Sequence, residues 1–446
     1  MFRLALILFG GDALARRWKF FWVAGAIVLL TGCSLLIDLV DGVADVATWV
    51  LGMVLLAQGL LEMLVGATHP GVRRRFEIVR GALMVVFAAL VLDVPWDNSI
   101  ATGVLFGGAF TFNGLIRIAS SWLIRYPSWR KSTAIGCGYL LMALLMLTNW
   151  PVPSNMNVSL CAGVALVAGG YILIRGAWRL RRLPAGSRLA AVELYRGTRV
   201  LPPATQPLSP EALAANAAAG QMVVHVWTAV DAVDDEQDRI RMPLVDRYIA
   251  SMPRKGLVST GHVALECEDG LYISHHPRVR LAITQQNVVG HMRATAGNNH
   301  PGMWLPAYAE EAAATRPSTH KIRFRIYNRA YLQSFWEAYS ADDTYNLTYR
   351  NCSVVVTEAV DAAVEGVFAD KPFWRTLLRL AVHPDMWLAG STRLRAEAMA
   401  WTPGLAMDYA GAIRRITHPR QNLRVHLTRW WRARQLRRRD SHKPTR

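Results

Sequence analysis

The sequence predicts a multidomain protein: an all-α six-span transmembrane bundle followed by a soluble α+β domain. Three observations predict it. The first 183 of its 446 residues contain six apolar runs of membrane-spanning length. Residues 221–366 change to short alternating strands, turn residues and helical apolar spacing. The formal charge of +18 is concentrated at one end, where residues 414–446 hold twelve Lys or Arg against the single acid Asp440. With 52% hydrophobic residues, the composition excludes a purely soluble chain of this charge. Five scattered cysteines, Cys33, Cys137, Cys161, Cys267 and Cys352, imply no disulfide framework and fit a reducing compartment.

The predicted spans lie near 20–40, 46–67, 76–94, 99–124, 132–150 and 157–178 and read as three helical hairpins. The pairs Gly52 and Gly59, Gly107 and Gly114, and Gly163 and Gly170 keep a spacing of seven and recur every 55 or 56 residues. Seven residues make two helical turns, so each pair lines one face, where small residues let helices approach closely in lipid. Leu30-Thr31-Gly32-Cys33 has the form of a lipoprotein cleavage box, but the apolar run continues past it and it reads as span interior. Glu62 and Arg117 stand at equivalent repeat positions, as a structural pair or as part of an ion path. Basic residues at Arg16, Arg17 and Lys19, at Arg73–Arg75, at Arg125, Arg130 and Lys131, and at Arg179–Arg182 alternate with the acids Asp41, Asp45, Asp93 and Asp97. By the positive-inside rule both termini are expected in the cytoplasm of a bacterial-type inner membrane. In span number, hairpin repeat and glycine pattern, residues 15–183 resemble the membrane domain of the HdeD acid-resistance family.

Residues 184–220 read as an Ala- and Pro-rich linker. Met222–Ala229 then alternates as a strand, and His262–Cys267 begins a second. The Asp269-Gly270 pair turns that strand back through LYISHH. A two-residue turn places His275 on the face of His262; a three-residue turn places His276 there instead. Residues 278–318 form a long turn-rich section, a candidate flap or substrate wall. A strand at Lys321–Tyr327 and a helix at Arg329–Ser340 lead into YNLTYRNCSVVVTE, where apolar residues from Val355 recur at helical spacing. Cys352 therefore opens a helix, with Asn351 as N-cap and Tyr349 just upstream. Free N–H groups and the helix dipole there favour a thiolate, so a depressed thiol pKa is expected.

A cysteine, a base and an orienting group are what nucleophilic thiol catalysis requires. The order of GHVAL, a second polar strand residue and a later Asn-Cys at a helix start resembles the circularly permuted NlpC-type papain-like group, which includes the lecithin retinol acyltransferase-like enzymes. The resemblance covers about residues 221–366. It implies Cys352 as nucleophile, His262 as general base and His275 as third group, with His276 as the alternative, and no cofactor. Zinc is not expected: Cys267 alternates onto the face opposite His262, and no paired ligand spacing is present. Residues 367–413 read as amphipathic helices, suited to a headgroup layer or to packing over the domain. The basic tail, 414–446, with Trp430 and Trp431, suits anionic lipid. Nucleic acid is not an expected partner, because no base-reading fold accompanies that charge. The expected function is a membrane-anchored cysteine hydrolase or acyltransferase acting on an ester or amide near the membrane, with lipid favoured. A peptidase using the same site and a non-catalytic stress-response module are the alternatives.

Overall fold

The computed structural model describes residues 2–41, 45–67, 72–92, 99–125, 129–148, 157–189, 220–228, 260–284, 286–381, 383–398 and 400–418. Most of the predicted linker and almost all of the basic tail, 419–446, lie outside the described residues. Six long helices fill the N-terminal half: α3 (Trp18–Asp41), α4 (Asp45–Ala67), α5 (Val72–Val91), α6 (Ser99–Ile124), α7 (Trp129–Thr148) and α8 (Asn157–Arg181). Four of them, α3, α6, α7 and α8, contain stretches long and apolar enough to cross a membrane; α4 and α5 carry shorter apolar stretches, Gly52–Met63 and Ile78–Val91.

Glycine decides how these helices pair. The tightest pairings are α4 with α5, α6 with α7, and α3 with α8. Counted along the six long helices, the second thus packs against the third, the fourth against the fifth, and the sixth closes on the first. A Cβ at Gly59, Gly114 or Gly170 would lie 2.7–2.9 Å from the carbonyl oxygen of Gly81, Gly136 or Gly25 respectively. Gly25, Gly81 and Gly136 recur at the same 55 or 56 residues, a second glycine series that receives the first. Glu62 does not pair with Arg117: it meets Arg80 at 3.3 Å across the α4–α5 contact, while Arg117 donates to Ser132 across the α6–α7 contact.

Two short helices precede the bundle, α1 (Phe2–Phe9) and α2 (Gly11–Ala15). Helix α1 belongs to the core of the second body. Leu4, Leu6, Leu8 and Phe9 are buried there, and the carbonyls of Ile7 and Leu8 accept from the N–H groups of Gly366 and Phe368. The start of the linker is also pinned, through Gly186 N–H to Asp12 and Leu189 N–H to Glu365.

The second body is built on a four-stranded antiparallel sheet in the order β3-β2-β1-β6, comprising β1 (Met222–Trp227), β2 (His262–Cys267), β3 (Tyr272–Ile273) and β6 (His320–Phe324). A separate ribbon pairs β4 (His275–Pro277) with β5 (Gly302–Trp304). Helices α9 (Val288–His291) and α10 (Tyr308–Ala314) lie in the long section before β6. Then come α11 (Arg329–Ser340), α12 (Cys352–Val364), α13 (Phe373–Ala381), α14 (Pro384–Ala398) and α15 (Pro403–Thr417). Helix α12 is the spine. All of its side chains are buried, and it packs against β2, α11 and α15. A helix buried on every side needs its polar groups paired. Accordingly Asp361 accepts from Arg393 and from the Tyr409 hydroxyl, and Arg393 continues to Glu397, which Arg3 of α1 also reaches at 2.9 Å.

Of the two places expected for residues 367–413, packing over the domain is where α14 and α15 lie: they contact each other, and α15 also covers β1, β2 and β6. Helix α13 buries Phe373 and Leu380 but leaves Trp374 and Leu378 exposed. Phe373 packs on Phe9 at 4.6 Å and Phe21 at 6.2 Å, so the domain seats itself on the first turn of α3. A second seat lies at the far end of α6, where Ala294 N–H donates to the Ile124 carbonyl at 2.6 Å and Tyr349 packs over both residues.

Candidate active site

Cys352 heads α12 as expected from its sequence. Asn351 caps the helix by accepting from Val354 N–H at 2.8 Å, while its own amide donates to the carbonyls of Leu347 and Trp401. Both ends of Asn351 are therefore committed to holding the helix start. The Cys352 thiol is buried against the β2 backbone, where Val263 N–H faces the sulfur and the Ser353 hydroxyl lies 3.8 Å away. Burial pushes this thiol up, and those donors only partly offset it. The expected depressed pKa is thus corrected: what the helix start and the nearby donors give the thiolate is outweighed by burial of the sulfur.

The hairpin loop settles which histidine faces His262. Glu266 pairs with Tyr272, and Cys267 N–H bonds the Leu271 carbonyl, so the loop is the three residues Glu268, Asp269 and Gly270, with Gly270 at φ 92°. A three-residue loop ending in a left-handed glycine is a standard hairpin connection. This register brings His276 opposite His262, their rings stacked at 4.0 Å. His275 turns the other way. It stacks on Trp304 at 4.0 Å and bonds the Asp343 carbonyl at 3.2 Å, so its assignment to the face of His262 is corrected.

A group that sequence reasoning missed organises the cluster. Glu311 on α10 is buried, and its Oε2 accepts from the Tyr272 hydroxyl at 2.6 Å and the Ser274 hydroxyl at 2.7 Å. Its Oε1 meets His276 Nε2 at 2.9 Å and His262 Nε2 at 3.2 Å. Burial alone would raise this carboxyl, but the histidines and two hydroxyls outweigh it and hold Glu311 below the usual carboxylate range. His262 is driven the opposite way, down to about 3, by burial first and then by the neighbouring His276. It is a neutral imidazole. Its Nε2 carries the proton, since Ser274 Oγ, 2.9 Å away, already spends its own hydrogen on Glu311 and can only accept. Nδ1 is then a bare acceptor, and it has no hydrogen-bond partner among the described residues.

Cys352, His262, His275, His276 and Glu311 all line one cavity of about 550 Å³. Its other walls include Leu281, Ile283, Met303 and Leu347, and Arg278, Arg280 and Arg316 add positive charge. Tyr345 also borders it, edge-on to His275 at 5.1 Å, with a phenol kept protonated by burial and by the adjacent Cys352. Tyr349 lies outside the cluster: its hydroxyl donates to Asn299. Glu311 gave no local signal, because an acid in an alanine-rich helix is ordinary and its role comes from contacts reaching back to residues 262, 272, 274 and 276. Comparison with family models, curated proteins and solved structures returned no match.

Proposed function

We propose that the chain is a membrane-embedded thiol hydrolase or acyltransferase that attacks a lipid ester or related carbonyl through Cys352. One observation carries this reading. A cysteine at a helix start and a neutral histidine with a free Nδ1 share a cavity, and the far side of that histidine is fixed by Ser274 and Glu311. His262 takes the Cys352 proton on Nδ1 as sulfur adds to the carbonyl, and the resulting imidazolium is stabilised by Glu311. Backbone N–H groups at the start of α12 face the developing oxyanion. His262 then gives the proton to the leaving alcohol, which leaves a thioester on Cys352. In the second half His262 activates water or an acceptor hydroxyl to release the acyl group. Glu311, rather than His275, orients the base.

The membrane half of the reading extends to all six helices, α3 to α8, as spans with their basic ends cytoplasmic, in the manner of an HdeD-like bundle joined to a permuted NlpC-type domain. The wall of the cavity favours lipid over peptide. The segment that supplies Arg278, Arg280, Leu281 and Ile283 runs on to Ala294, which is bonded to the end of α6. The cavity is therefore tethered to a bundle end, where lipid is concentrated relative to soluble donors. Apolar walls and arginines together suit acyl chain and phosphate.

The test is intact-mass analysis after incubation with vesicles of phosphatidylglycerol and phosphatidylethanolamine. A hydroxylamine-labile fatty-acyl adduct present in wild type and absent in Cys352→Ser is expected. Cys352-dependent peptide cleavage without an adduct would transfer the site to a peptidase, and neither activity would sink the catalytic reading.

A further inference from the structure

His276 has no task in the thiol chemistry, yet its Nε2 converges with that of His262 on one carboxylate oxygen. Two imidazole nitrogens and a carboxylate oxygen all lie within 4.8 Å of one another. We propose that His262, His276 and Glu311 form a zinc site, and that zinc held there switches off the Cys352 chemistry; the second half of this inference rests on the thiol reading above.

Geometry and chemistry both support the donor set. Two histidines and a glutamate, with a fourth position open to water, make up a recurrent catalytic-type zinc shell, and ligand atoms about 2.0–2.1 Å from the metal stand about 3.3 Å apart in a tetrahedron. The separations from Glu311 Oε1 are 3.2 Å to His262 Nε2 and 2.9 Å to His276 Nε2, so those two edges open by only a few tenths of an ångström, while the stacked rings of His262 and His276 must turn to aim both lone pairs at one ion. An outer shell is already in place. Tyr272 and Ser274 hold Glu311 Oε2, which leaves Oε1 directed at the histidines. Reading zinc ligands from sequence neighbours alone found no such set, because Glu311 comes from α10, 35 residues beyond His276.

The switch follows from the imidazole tautomer. Metal on Nε2 displaces its proton, and the neutral ring must then carry its hydrogen on Nδ1. Nδ1 is the atom that has to accept the proton from Cys352, and later from water. A zinc-bound His262 can donate there and can no longer accept.

Calorimetric titration of ZnCl2 into the full-length Cys352→Ser protein in detergent removes the thiol as a competing ligand. One saturable site is expected, weakened at least tenfold by adding His276→Gln and also weakened by Tyr272→Phe, which leaves all three ligands in place. Binding that is no tighter than in the His276→Gln protein overturns the site. A second arm follows ester turnover by wild-type protein with and without saturating ZnCl2, with chelation afterwards. Loss of turnover restored by EDTA is expected; turnover that persists with zinc bound overturns the switch. Should the metal-free protein turn over no ester at all, the thiol reading and the switch fall together, while calorimetry still decides the metal site.

Discussion

At the residue scale, Glu311 and Glu365 show how burial acts on two carboxyls with different partners. Glu311 collects four donors and stays charged, so under the proposed thiol mechanism its replacement should be felt in turnover. Glu311→Gln should lower kcat for ester turnover roughly tenfold or more, within the ~10²–10⁴ that a general base supplies, while KM changes little. An equal effect on KM would make Glu311 part of substrate binding instead of the support of His262. Glu365 is buried at the end of α12 with Arg188 and Leu189 N–H as partners, and burial pushes its carboxyl up to about 7 despite them. In the unfolded chain the same group loses its proton near 4.5. Between those pH values the folded state holds a proton that the unfolded state has released, so stability falls as pH rises from 4.5 to 7. Thermal melts at pH 5 and pH 7.5 should therefore differ less in Glu365→Gln than in wild type.

At the element scale, close approach of backbones holds the helices together, and glycines at neighbouring positions allow a controlled test. A Cβ at Gly170 would lie 2.5 Å from Leu29 N on α3, whereas one at Gly169 meets nothing within 4 Å. Gly170→Ala should destabilise the detergent-solubilised protein by about 1–3 kcal/mol through overpacking. Gly169→Ala should leave its melting temperature unchanged or slightly raised, and equal losses would remove the packing argument. The same elements show what the sequence made legible. Apolar run lengths and the α12 start at Cys352 are local patterns, each visible in a window shorter than two helices, and the first glycine series shows itself by its repeat every 55 or 56 residues. Which helix closes on which depends on the second series, Gly25, Gly81 and Gly136, whose meaning appears only once the pairing is known. The choice between His275 and His276 turned on a single loop residue, and a slip of one residue exchanges the two faces of a strand.

At the scale of the whole molecule, the second body is not a contiguous stretch of chain. Helix α1 supplies Leu4, Leu6, Leu8 and Phe9 to a core made mainly by residues from Met222 onward, to which Leu14, Phe21, Ala177, Leu180 and Leu189 also contribute, and Arg3 joins the Glu397 and Arg393 network. A fragment covering residues 220–446 should therefore expose apolar surface and aggregate. The full chain should instead yield a protease-resistant body retaining α1 after limited proteolysis. A soluble, cooperatively melting fragment would show that α1 is dispensable.

That arrangement also imposes an order of events at the ribosome. Helix α1 is made before its partners in α12 and α14, which follow some 350 to 390 residues later. At about 5–20 residues per second that is a wait of roughly 20–80 s, during which all six long helices of the bundle are made. An apolar octapeptide must be kept from the bilayer and from other nascent chains for that whole interval. Closure of α8 onto α3 comes about midway and returns the chain to the place where α1 was left. Completion of the bundle thus fixes the place where the second body assembles, and a chain whose α8 fails to close on α3 would leave α1 apart from α12 and α14.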